Sequence, residues 1–449
     1  MKNQKLTAGL LAAAAGVTLA SSGHAQNVDA LLNKLVDKGV LTSQEAEELK
    51  KESDKDQASA VHSAFGMPKW DESIKLGGDF RVRMDDLMPE SGLNRDERLR
   101  YRYRFRYGAV WTATDWATVG VRLGSGDFRS SLGDANPNSN NQTFTHAFSK
   151  KPLFVDAAYV TLTPPDQDWI SLTGGKMNNP MWGPGLNSPM VYDPDLTPEG
   201  GVLQLKYKFG PDDRLQAFAN GGALVLDEIS GSSLDTYGYD MQAGLTANLV
   251  GDARSPRLKT TLAGGYFLTQ NLPNFPVGDS SGNPGNAFSA STNYLDNFQV
   301  VYARGEAAWK LSDKPLLGTP AIITLGGEYD KNLTDAYRKL MPNGDQTEAW
   351  TLQLTLGHAG KRGEWQTSYQ YKHAEADALF DSFTDDDFGG TDRQGHIIKA
   401  AYNVRDWWQL GFTAFITEKI SNRPNGGHNQ SGVNGQDQVR LFFDTMFKF

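Results

Sequence analysis

The sequence predicts an all-β protein, a transmembrane antiparallel β-barrel of about sixteen strands with a short N-terminal helical segment. Three observations carry this. From Leu99 to Trp111 the odd positions are apolar or aromatic, while Arg98, Arg100, Arg102, Arg104 and Arg106 hold the even ones. From Ile74 onward similar alternation recurs, and the connections between segments alternate long and short. The chain ends on Phe449, with Val439, Leu441, Phe443 and Phe447 on the same face.

Alternation with period two belongs to a strand, so the arginine segment has one greasy face and one face of guanidinium groups. At ~3.4 Å per residue the arginines span about 27 Å, close to the height of a bilayer's apolar slab. A soluble sandwich would turn them to water and bury the aromatic face. A barrel would turn them to a wet lumen and give the aromatic face to lipid. The opposite placement is excluded by its cost of ~2–4 kcal/mol for each arginine at the bilayer midplane.

The 449 residues include 47 glycines and no cysteine. The mean hydropathy of −0.50 suits strands with one apolar face. Without cysteine there is no disulfide, thiolate metal site or cysteine nucleophile. The seven histidines show no paired ligand spacing, and no cofactor or metal is expected. A net charge of −9 argues against nucleic acid as a partner.

Residues 1–25 read as a secretory signal peptide: Lys2 and Lys5, an apolar run from Leu6 to Ala20, and Gly23-His24-Ala25 as the cleavage site. A membrane anchor is the alternative, but the run is short and rich in small residues. Cleavage removes two lysines and no acid, leaving −9 − 2 = −11. Residues 26–52 read as a short periplasmic helical segment. Val28, Leu31, Leu32 and Leu35 recur at helical spacing, and Thr42-Ser43-Gln44-Glu45 has capping-box spacing. Residues 53–70 are a polar linker, and 71–449 the barrel.

Within the barrel, Ile74–Met84 precedes the arginine strand, with Arg81 and Arg83 facing as the ladder does. Arg122 takes the same role in the next segment, against Val119, Val121 and Leu123. Further strands fall near 153–163, 168–176, 203–209, 213–226, 236–249, 257–270, 299–311, 321–330, 348–358, 363–373, 395–404, 407–419 and 438–449. Short turns on one side and long polar loops on the other are the signature of an outer-membrane barrel. Tryptophans 70, 111, 116, 169, 309, 350, 365, 407 and 408 lie near strand ends, as interfacial girdles do.

The terminal strand, ending in Phe449, resembles the closing strand of Gram-negative outer-membrane proteins, whose final aromatic is read by the barrel-assembly machinery. With the leader, the helical preamble and the strands, the whole chain resembles a bacterial outer-membrane porin. The segment from Lys176-Met177-Asn178-Asn179-Pro180 to Asp193-Pro194-Asp195-Leu196-Thr197-Pro198-Glu199-Gly200 is similar to that of the putative-porin family. The resemblance implies a homotrimer in the outer membrane, surrounded by lipid and passing small hydrophilic solutes and ions. It also implies that the loop after the fifth strand, here 177–200, folds into the lumen as an eyelet.

That loop carries Asp193, Asp195 and Glu199 and is stiffened by five prolines at 180, 184, 189, 194 and 198. Facing the ladder, it would set a transverse field across a narrow aqueous slot. At least three of the five ladder arginines are expected to face open water. The competing expectation is pairing with Asp79, Asp85 and Glu97, which makes them struts. Arginine-lined pores favour anions, so a slight anion bias over general diffusion is expected. The alternatives are a phosphate-like anion-specific porin and a non-conducting structural or adhesin barrel. An enzyme is not expected, because no G-x-S-x-G or nucleophile–His–acid set appears. The acidic run Asp377–Asp392, with Asp381, Asp385, Asp386 and Asp387, reads as a solvated outer loop; calcium binding is the alternative, against which stands the lack of calcium-loop spacing.

Overall fold

The structure is a computed structural model that describes residues 73–89, 97–128, 134–231, 233–253, 255–274, 285–286, 294–334, 346–420 and 437–449. The expected signal peptide, helical segment and linker lie outside these residues. So does Trp70.

The unit Ile74–Phe449 is one antiparallel sheet. Its strands are β1 (Ile74–Pro89), β2 (Arg98–Thr114), β3 (Ala117–Gly124), β4 (Gln142–Thr143), β5 (Phe154–Leu162) and β6 (Ile170–Lys176). Then come β7 (Glu199–Phe209), β8 (Leu215–Asp227), β9 (Thr236–Asp252), β10 (Ser255–Gln270), β11 (Gln299–Lys310) and β12 (Ile322–Asn332). The last are β13 (Glu348–Gly357), β14 (Trp365–Ala374), β15 (Arg393–Arg405), β16 (Trp408–Lys419) and β17 (Gln438–Lys448). β4 has two residues and pairs only with β2, inside a long loop. The other sixteen strands each pair with their neighbours, and β17 returns to β1, from Asp79 opposite Lys448 to Pro89 opposite Gln438. This is the closed sixteen-stranded barrel the alternation predicts. Closure leaves no unpaired edge, the condition for a sheet to lie in lipid.

The two faces are those of a protein turned inside out. On β13, Leu352 and Leu354 are 54% and 42% exposed, while the alternate residues Thr351 and Gln353 are each 3%. Leu99, Tyr101 and Trp111 on β2 also point outward, and Arg102 and Arg104 are buried. Trp111, Trp116, Trp169, Trp309 and Trp407 ring the side of the short turns, and Trp350 lies at the other rim.

The connections alternate as expected. Tight links such as 115–116 and 406–407 face spans such as 125–153, 177–198 and 375–392. Asn138–Gln142 of the first span, and the second and third spans, turn inward. Met190, Val191, Tyr192 and Leu196 of the second pack with Leu379 and Phe380 of the third and with Phe267, Phe298 and Tyr302. The barrel thus has an apolar core inside its own mouth. The reading of 377–392 as a solvated face is corrected here: Asp377, Leu379, Asp381 and Phe388 are fully buried.

Candidate functional site

The loop 177–198 leaves β6 and enters β7 through a tight gate. Gly175 and Gly200 pair across it with φ of 116° and 148°. A Cβ on either would strike a backbone carbonyl, Ala158 O or Ala223 O, so only glycine fits there. Beyond the gate the loop crosses the lumen on polar anchors. Gln242 Nε2 and Arg304 Nη1 donate to Trp182 O at 2.8 and 3.0 Å. Asn187 N–H donates to Gln353 Oε1 (2.6 Å) and Asn187 Nδ2 to Ser368 Oγ (2.7 Å). Lys399 Nζ donates to Asn187 O at 3.0 Å, and Lys372 Nζ to Ser188 Oγ at 3.1 Å. Tyr192 O–H donates to Asp240 Oδ2 at 2.9 Å. The backbone N–H of Asp193 donates to Phe383 O at 2.7 Å, which joins this loop to 375–392.

The arginine ladder lies on the inner wall, but it is not bare. Arg81 stands opposite Arg104 and Arg83 opposite Arg102, an arrangement of like charges that needs counter-ions. Asp79 pairs with Arg104 and Arg106, at 2.8 Å each, and Asp195 reaches both at 3.5 Å. Asp85, fully buried, holds Arg100, Arg102 and Arg440. Arg83 holds Asp444 at 2.8 Å and Asp387 at 3.2 Å. Arg122 pairs with Asp156 on β5. The expectation of at least three open guanidiniums is therefore corrected: Arg100, Arg102, Arg104 and Arg106 all hold carboxylates. Arg98 is exposed at the start of β2. Among the described residues, Arg81 donates to a neutral group alone, Asn141 Oδ1 at 2.7 Å.

Of the loop acids, Asp193 and Asp195 reach the passage. Glu199 does not; it is the first residue of β7, exposed, and pairs with Lys176 at 2.9 Å. The register that ends the loop at Pro198 takes Glu199 into the wall. Phe449 closes the seam: Gly78 N–H donates to Phe449 O (2.8 Å), Phe449 N–H returns to Gly78 O (3.2 Å), and its ring stacks on Tyr107.

Besides a larger cavity of about 760 Å³ against the wall of β5–β8, a cavity of about 260 Å³ lies between the loops and the wall of β1, β2 and β14–β17. Arg81, Arg83, Arg104 and Lys399 line it on the wall, with Asp444 beside them. Asp193, Asp195, Asp385 and Asp387 line it from the loops. Sequence reasoning missed Lys399, Asp385, Asp387, Asp444 and Arg440. Arg440 and Asp444 sit two positions either side of Phe442 on the polar face of the last strand, and that spacing was available in the sequence. The loop acids act on one another. Burial, with Asp385 and Asp195 nearby, pushes the Asp193 carboxyl well above its usual range. Burial and the adjacent Asp387 push Asp386 up to about 7. Burial also acts to raise Asp387, but Arg440 and Arg83 hold it below the usual range. Carboxylate oxygens of Asp193, Asp385 and Asp386 lie within 4.8 Å of one another.

A closed barrel with a greasy outside, a polar lumen and a constriction of mixed charge defines an outer-membrane channel of the porin type. Two comparisons agree with that class. The family described as "Putative porin" matches residues 87–269 and 309–427, and the chain belongs to it. No curated protein sequence matches the chain. Among solved structures, OprB of Pseudomonas putida at high pH is similar over 84% of this chain and 95% of that one, at 10% identity and a TM-score of 0.51. A mutant Rh. blastica porin matches over 84% and 100%, at 13% identity and a TM-score of 0.44. The first of these supports the fold.

Proposed function

We propose that this porin passes small hydrophilic solutes and ions by diffusion, with the 260 Å³ cavity as its eyelet. The observation that carries this is the loop 177–198, anchored across the lumen beside a cavity lined by both signs of charge. Loop acids on one side and Arg81, Arg83, Arg104 and Lys399 on the other set a field across the passage. That field favours dipolar solutes and disfavours apolar ones, which must displace ordered water. Arg100, Arg102, Arg106 and Arg122 act as struts, since each is held by a carboxylate of the wall. Near-neutral matching supports general diffusion over a phosphate-specific channel.

We infer that residues 1–25 direct export and are cleaved, and that Phe449 is the signal read by the assembly machinery. The barrel functions as a homotrimer in outer-membrane lipid. The low wall of β3, β5 and β6, with 8, 9 and 7 residues, supports packing against another copy there. No catalytic role and no cofactor is proposed. The test is single-channel recording of the purified protein in a planar bilayer. Discrete ohmic steps in KCl are expected, and a sealed bilayer at all protein concentrations refutes the reading.

A further inference from the structure

We infer that the eyelet is a binding site for small zwitterions, solutes that carry a carboxylate and an ammonium group a few bonds apart, such as an α-amino acid. This rests on the cavity being the constriction of an open channel, and it adds the class of solute that lingers there.

The cavity has two poles with unmet demands. On the wall, Arg81 and Lys399 are cations without an ion pair among the described residues. Arg81 donates only to Asn141 Oδ1, and its Nε is buried with no partner. Lys399 donates to a backbone carbonyl, Asn187 O. On the loops, Asp193 and Asp385 likewise make no ion pair at contact distance among the described residues, although the field of Lys372 reaches both and that of Lys399 reaches Asp385. Their carboxylates accept backbone N–H groups, from Asp195 at 2.7 Å and Asp387 at 2.8 Å. Asn138 lines the same cavity and is 3% exposed. Its Nδ2 donates to Ser382 O and Thr384 O, on the chain leading into Asp385, while its Oδ1 is buried with no donor.

A cation and a carboxylate that lack an ion pair each gain from a partner of opposite charge. An anion would satisfy Arg81 and Lys399 and leave the acids as they are. A metal cation would do the reverse. A zwitterion matches both poles: its carboxylate accepts from Arg81 and Lys399, and its ammonium donates to Asp193 and Asp385. Charge-assisted bonds at both ends favour it over either singly charged analogue. A space of about 260 Å³ restricts the class to small solutes.

The experiment records KCl current through the full-length protein in a planar bilayer while L-alanine, propionate, ethylammonium, lactamide, phosphate or calcium is added. L-Alanine is expected to reduce current saturably, at about a tenfold lower half-effect concentration than any of the others. Arg81→Gln, Lys399→Gln and Asp385→Asn should each remove about tenfold of that preference. Asp313→Asn, on the exposed turn between β11 and β12, should keep it. Equal potency of propionate or phosphate overturns the inference in favour of a plain anion site, and equal potency of calcium in favour of a metal site. A channel that conducts but shows no saturable effect of alanine also overturns it, leaving general diffusion intact. Because the solute series uses the unmodified protein, it decides the matter even if a variant fails to assemble. A protein that never conducts refutes the channel reading itself.

Discussion

Arg81 and Arg102 stand on adjacent strands of the same wall, yet their surroundings give them different work. Arg102 donates to Asp85 and lies within 3.8 Å of Asp127, so its charge is spent inside the wall. Arg81 keeps its charge for the passage. Replacing Arg102 with Ala should therefore shift the reversal potential across a KCl gradient less than replacing Arg81 with Ala. A larger shift in the Arg102 variant would show that the ladder, and not its unpaired neighbour, sets selectivity. Asp85 is the counterpart. It is fully buried and holds three guanidiniums, so Asp85→Asn leaves them with one matching charge fewer. Removing one partner of a buried ion cluster costs about 3–5 kcal/mol. Denaturant unfolding in micelles should show a loss of that order.

The strands were legible because a strand in lipid must alternate, and nothing in the sequence hides a period of two. The arginine segment, its aromatic face and the place of the inward loop after the fifth barrel strand could all be read before any coordinates. The loop 375–392 could not. Its acids look like a solvated run because their partners are distant in sequence: Arg83 lies 304 residues from Asp387, and Arg440 donates to Asp387 O from 53 residues away. The one available signal was apolar, Ala376, Ala378, Leu379, Phe380 and Phe388 interleaved with the acids. The same loop carries a pH dependence. Burial raises Asp381 and Asp386 to about 7, so both favour the packed, protonated loop. That preference is complete below a free carboxyl's pKa of ~3.9 and fades as pH rises through about 7. Asp387, held low, has the opposite sign and loses its contribution only in strong acid. Protease cleavage within 375–392 should thus be slower at about pH 5 than at about pH 8. Equal rates would mean that the loop does not feel these two protons. At the base of the other inward loop, Gly200→Ala should lower channel conductance or yield, since a Cβ there meets the Ala223 carbonyl.

The whole molecule is held by a seam between its first and last strands, so no local piece of it is complete. β1 and β17 are joined from Asp79–Lys448 to Pro89–Gln438, and Phe449 ties back to Gly78. The low wall of β3, β5 and β6 stands apart from β9 and β10, which run to 17 and 16 residues. Native mass measurement in mild detergent should report three copies, and a monomer that conducts normally would remove the trimer from the account. The seam has a practical corollary for anyone who handles this protein. The main chain of Phe449 belongs to the ring closure, so a purification tag or reporter fused directly to Phe449 would sit where the sheet must zip. The hairpin 228–235 offers a freer graft point, because the barrel is already paired on both sides of it.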